Sequence, residues 1–205
     1  MAKPRRALTP KERIDRSAYD LFTRHGIRAV GVDTIVARSR VGKMTLYRHY
    51  ASKDALALAF LDRRWLTFSR GWQATLEELH LPPRQALLAV FDVLDKWYRS
   101  PAYSGCPVVK AVLESAEGDD PVYAGALRYF AAVRSFLRRL AQQAGVRDAD
   151  AVAMQWHILV WGSIIAARAQ ERDAAKHAKA LAAAILSRTT TRSRKRSARR
   201  ARLTG

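Results

Sequence analysis

The 205-residue chain is predicted to be all-α, with about nine helices and no sheet. No strand-like alternation is sustained, and Ala, Leu and Arg dominate, residues that lose little rotamer freedom in a helix. Cap and turn residues recur at the intervals that short connections between helices need.

The first helix has the clearest signal. Thr9 is placed to be its N-cap, Pro10 its first residue and Glu12 the far end of a capping box. Ile14, Ala18, Leu21 and Phe22 form one apolar face, and Gly26 stops the helix behind two basic residues. A short second helix runs from about Val32 to Arg38 with Gly31 as its cap, and a third falls within RVGKMTLYRHY, residues 40–50. Ser52 opens a long fourth helix that ends near Leu79, before Pro82 and Pro83. Further helices are expected at about 84–99, 105–117, 121–144, 148–171 and 173–187.

Charge is distributed unevenly. The formal net charge is +19, yet residues 65–187 are nearly balanced. Residues 1–64 carry 15 Lys/Arg against 6 Asp/Glu, and residues 188–205 carry 8 against none. Such placement points to a polyanion partner at the ends, of which nucleic acid is the commonest. The tail has one large apolar residue, Leu203, too little to offset ordering, so 188–205 is predicted to be disordered, as is the basic start 1–8.

The lone cysteine, Cys106, excludes an internal disulfide and a cysteine zinc cluster, which fits a reducing, cytoplasmic setting. It is expected to be a buried thiol, because no cation adjoins it in sequence to lower its pKa. No apolar run of about 18 residues is evident, and no export signal, so no membrane partner is expected. Neither a G-x-S-x-G, a HExxH nor a paired-carboxylate pattern occurs, so no enzyme, cofactor or metal site is predicted.

The Gly42–Lys43 pair invites a nucleotide-loop reading, which fails. Ala37 stands where the loop's first glycine belongs, Met44 follows the lysine, and a helix precedes the segment. A helix-turn-helix fits better: Ile35, Val41 and Leu46 close a small core, while Lys43, Met44, Tyr47 and Arg48 face outward.

From Gly26 through VDTIVARSRVGKMTLYRHYASKDAL, the chain resembles the DNA-binding domain of the tetracycline-repressor-like (TetR/AcrR) transcriptional regulators, above all in TLYRHY followed by SKDAL. Three positions depart from the family pattern: Gly31 and Gly42 replace hydroxyl caps, and Arg40 stands where glycine usually makes the turn. The resemblance implies an N-terminal three-helix DNA-binding domain, residues 9–53, and a C-terminal helical effector-binding and dimerisation domain, residues 54–187. It places Thr45, Tyr47 and Lys53 on the DNA backbone, and Lys43, Met44, Arg48 and His49 near base edges. Asp33 is expected to favour the helix dipole rather than read cytosine.

The resemblance also implies a pocket for a small, mostly apolar effector. Phe68, Trp72, Trp97, Tyr103, Trp156, His157 and Trp161 are candidate walls, with core filling as the competing role. Family precedent for a four-helix dimer interface nominates Val152, Leu159, Ser163, Ala167, Leu181 and Ile185, against burial within one chain. The expected protein is a homodimeric repressor on a palindromic operator in double-stranded DNA, released by the effector. A nonspecific nucleoid-associated DNA-binding protein is the alternative that the basic ends keep open.

Overall fold

The computed structural model describes residues 6–101, 103–115 and 119–201, with side chains as far as Thr189. The described residues form nine helices and no strand: α1 Pro10–His25, α2 Val32–Ser39, α3 Lys43–His49, α4 Lys53–Glu78, α5 Pro83–Tyr98, α6 Pro107–Glu114, α7 Pro121–Gln143, α8 Ala149–Arg168 and α9 Ala174–Ala201. They fall into two compact units. One is Met1–Thr67 with Cys106–Phe130; the other is Phe68–Gly105 with Ala131–Gly205. The division therefore differs from the expected boundary after residue 53. Both α4 and α7 run without a break through the change of unit, and neither has a proline inside it after its first residue.

In the first unit the capping box closes α1: the Glu12 N–H donates to Thr9 Oγ1, and the Thr9 N–H donates to Glu12 Oε2 at 2.7 Å. Ile14, Ala18, Leu21 and Phe22 are all buried. Phe22 meets Phe60 of α4 edge to face at 5.3 Å. A Cβ at Gly125 would lie 2.6 Å from Leu58 Cδ2, so a larger residue there would require that side chain to shift.

Arg40 adopts the left-handed conformation, φ 53° and ψ 42°, directly after α2. The turn thus keeps the geometry that glycine favours without having glycine. A residue with a Cβ bears roughly 1–2 kcal/mol of strain there. Arg40→Gly is accordingly expected to raise stability by about 1 kcal/mol after the entropy glycine adds to the unfolded chain, read as an increased urea midpoint. A lower midpoint would show that the arginine side chain matters more than the strain.

In the second unit α5, α8 and α9 pack together. Leu87, Val90, Phe91 and Leu94 of α5 are buried, as are Trp156, Val160 and Ile164 of α8 and Ala175, Ala178, Ala182 and Leu186 of α9. Small residues along α9 permit the close approach.

Three expectations are corrected. The sixth helix is shorter than 105–117, because Gly105 takes φ +88° and Cys106 becomes its N-cap. The segment from Arg188 is not without structure throughout, since α9 continues to Ala201; its Arg, Lys and Ala residues are good helix formers. Residues 202–205 and 1–5 lie outside the described residues, while Arg6 pairs with Glu12 at 2.8 Å. Finally, α8 is long and apolar enough to cross a membrane by length and composition. It reads as interrupted in sequence because Asp150, Gln155 and His157 punctuate it, and it packs on α5 and α9 here.

Candidate nucleic-acid interface

Helices α2 and α3 are joined by three residues, Arg40, Val41 and Gly42, a tight connection. Gly42 is extended at the α3 N-cap, and its carbonyl accepts from the N–H groups of Thr45 and Leu46. Ile35 and Leu46 are fully buried and Val41 nearly so, forming the core expected between the two helices. That core fixes which side of α3 turns outward. Lys43, Met44, Tyr47, Arg48 and His49 are all exposed, Met44 to 78%. Thr45 is half-buried and accepts from Arg48 Nη2 at 3.2 Å.

A bulky thioether held in water has no packing role, and it sits among cations and a phenol. Such a surface offers donors to phosphates and guanine edges, and apolar contact to thymine methyl groups. Lys43 Nζ also bonds Asp33 Oδ1 at 2.8 Å, an interaction that raises the ammonium pKa. The Asp33 carboxylate thus does more than favour the α2 dipole.

Lys53 is less free than its sequence position implies. Burial pushes its pKa down, and its ammonium donates to the Arg28 carbonyl at 3.2 Å. Ser52 Oγ caps α4 by accepting from the Ala55 N–H. Arg28 in turn pairs with Asp120 at 2.5 Å. Burial tends to raise the Asp120 pKa, but the N–H groups of Tyr123 and Val122, with Arg28, hold it below the usual carboxylate value.

Sequence reasoning missed the anchor at the other end of α3. Tyr50, its C-cap, donates its hydroxyl hydrogen to Asp15, and Lys11 Nζ donates to both Tyr50 Oη at 2.8 Å and Asp15 at 2.9 Å. Burial, then the Asp15 bond, raises the Tyr50 pKa; the bond to Tyr50, then that to Asp15, raises the pKa of Lys11. The Lys11–Asp15 spacing of four is visible in sequence, but nothing local indicates that Tyr50 completes it.

Residues 14–60 match the profile of the bacterial regulatory proteins of the tetR family. An HTH-type transcriptional repressor of Streptomyces coelicolor, SCO4008, is 29% identical over 91 residues, 40% of this chain and 47% of its own. The A-factor receptor protein of Streptomyces griseus is 36% identical over 67 residues, 33% of this chain and 24% of its own. The chain thus spans less than half the length of these curated relatives. The crystal structure of SCO4454, a TetR-family transcriptional regulator from Streptomyces coelicolor, superposes with a TM-score of 0.76 at 27% identity, covering 88% of this chain and 95% of that one. Residues 14–60 belong to the tetR family of bacterial regulatory proteins.

Aromatic side chains of the second unit meet one another in several places. Phe68 lies against Trp72 at 4.2 Å, and Trp72 against Phe136 at 5.7 Å. Trp97, Tyr98 and Tyr103 form a second group, in which the Tyr103 hydroxyl donates to the Ile164 carbonyl and Tyr98 bonds Ser163. Trp156 is fully buried, beside Phe91, with its indole N–H on the Leu87 carbonyl at 2.9 Å. A cavity of about 540 Å³ has an apolar floor that includes Leu76, Ala86, Phe136 and Leu140, with Gln73, Glu77 and Arg139 among its lining. A second, of about 440 Å³, includes Tyr98 and Tyr103. Of the seven predicted wall residues, only Tyr103 lines either of these two cavities.

His157 accepts from the Trp161 indole N–H, 2.9 Å from Nε2. Burial, then the charge of Arg134, lowers its pKa to about 4. An unfolded histidine titrates near 6.5, so between these values the unfolded chain binds more protons and stability falls as pH falls. His157→Gln is expected to flatten this acid-side loss in urea midpoints measured between about pH 6.5 and 4. An equal loss in both proteins would contradict it.

Two candidate dimer residues are corrected. Val152 and Ser163 are buried inside the protomer, because α8 turns that side toward its own neighbours. Leu159, Ala167 and Ile185 are half-buried and Leu181 is exposed. The uncovered apolar side of α8 instead carries Met154, Ile158 and Ile165, with Gly162 between them. Cys106 is buried, and burial raises its thiol pKa; the Arg64 guanidinium and the N–H groups of Val109 and Val108 act in the opposite direction. Arg64 is the cationic neighbour that the sequence around Cys106 lacks. Among the described residues, no group of three or more His, Cys, Asp or Glu side chains is arranged to hold a metal.

Proposed function

We propose that this chain is a homodimeric transcriptional repressor of the TetR family that binds a palindromic operator through α3 and is released by a small, mostly apolar molecule. The supporting observation is the set Lys43, Met44, Tyr47, Arg48 and His49, held in solvent by the buried Ile35–Val41–Leu46 core. Its place of action is the bacterial cytoplasm, and it performs no enzymatic chemistry. Effector binding opposes DNA binding only if the two conformations differ in affinity for each ligand.

The test is fluorescence anisotropy on the DNA between this gene and its neighbour, against a duplex of random sequence. A specific regulator exceeds its nonspecific binding by at least about 10³. A ratio near one overturns operator recognition and leaves the nonspecific binder, a reading favoured by the eight cations in residues 188–205. Deleting that tail separates the two further: in the nonspecific reading the dependence of log K on log salt becomes shallower, and in an operator reading with an inert tail it does not.

The dimer surface we propose is the apolar side of α8 with Leu181 of α9. Ile158 is 62% exposed, where a lone leucine-sized side chain is common but a run along two helices is not. Isologous pairing would bring two copies of this side together and match a two-fold operator. Ile158→Asp is expected to shift the protein to monomers in sedimentation velocity. An unchanged sedimentation coefficient places the interface elsewhere.

A further inference from the structure

We infer that Asp33 is a specificity-determining residue of the reading surface: its carboxylate holds the Lys43 ammonium on that surface and withholds it from phosphates in nonspecific complexes. Lys43 is the first residue of α3, where the positive end of the helix dipole opposes an ammonium. Gly42 contributes no side chain that would offset this. Asp33, in the first turn of α2, does offset it from 2.8 Å away, and the positive end of α2 suits its own charge.

The pair is not there for stability. Its side chains are 53% and 83% exposed, and ion pairs in water contribute little. Its effect is expressed when DNA arrives. Nonspecific affinity follows the number of phosphates neutralised, and a lysine already paired with a carboxylate contributes no net charge to that number. The same lysine keeps its remaining donors for a base-edge acceptor, guanine O6 or N7 or thymine O4, while Asp33 stays engaged. A carboxylate facing the backbone also disfavours any register that brings phosphate to this corner. Asp33 therefore lowers binding to random DNA more than binding to a sequence that places an acceptor beneath Lys43.

The inference rests on the DNA-binding reading, and its test distinguishes the two. Salt titrations with a random-sequence duplex compare the wild-type protein with Asp33→Asn, Lys43→Gln and the double variant. Asp33→Asn is expected to bind random DNA more tightly, with a log K against log salt slope steeper by about 0.9, one additional phosphate contact. In the Lys43→Gln background the same change should leave the slope unmoved. If wild-type protein shows no salt-dependent binding, the DNA reading itself fails. If it binds but Asp33→Asn leaves the slope unchanged, or steepens it equally in both backgrounds, the role of Asp33 through Lys43 is overturned. Both residues lie at the surface, and an unchanged circular dichroism spectrum is expected in each variant.

Discussion

The Tyr47→Ala, Lys53→Ala double variant is expected to lose specific DNA binding while remaining folded. Tyr47 is exposed on α3, and Lys53 stands at the start of α4 with its ammonium on the Arg28 carbonyl. In the proposed DNA-bound state the two would contribute a phenol and a cation from different helices to phosphate contacts. Hydrogen bonds to charged groups are worth about 1.5–3 kcal/mol, so losing two lowers affinity by on the order of 10²–10⁴. Removal of one cation should also flatten the salt slope by about 0.9. The helix-turn-helix core of Ile35, Val41 and Leu46 is untouched, so the helical signal and the mass in solution should be those of the parent. Anisotropy titrations across a salt series provide the measurement. Operator affinity within a few-fold of the parent would refute the assignment of this face.

Trp156→Ala should have the largest effect on folding. Its side chain is fully enclosed by the second unit, beside Phe91, and its N–H is satisfied by the Leu87 carbonyl. Tryptophan-to-alanine changes in a packed core cost about 3–5 kcal/mol, a large share of the 5–15 kcal/mol typical of a whole protein. Trp156→Phe should recover most of the loss. Its remaining deficit reports the indole hydrogen bond, about 1 kcal/mol. Urea midpoints at one fixed protein concentration are needed, since the stability of the proposed dimer would depend on concentration. A loss below about 1 kcal/mol for alanine would mean that the surroundings collapse readily, as a ligand cavity would, and would return Trp156 to the list of pocket walls.

The parts of the fold that were legible in sequence are those written in local chemistry. Thr9, Pro10 and Glu12 specify the start of α1 through bonds within three residues, and Gly26 specifies its end. Ile35, Val41 and Leu46 announce a small shared core because their spacing leaves them no other common side. The outward set on α3 follows from the same periodicity. Arg40 was harder: its residue type argues against the left-handed conformation, and the packing of α2 against α3 imposes it.

What the chain's order of residues determined by itself was the helical class, the helix-turn-helix and the concentration of charge at its two ends, because caps, periodicity and charge act over a few residues or need no geometry at all. Only the tertiary structure decided which side of α8 is covered. Val152 and Ser163 lie inside and Met154, Ile158 and Ile165 outside, and an apolar helix with small residues on several sides carries no local mark of that choice. The same holds for Tyr50 on Asp15, Arg64 beside Cys106 and Lys43 on Asp33. Each joins groups on different helices, and such contacts depend on how those helices pack rather than on the residues next to them in the chain.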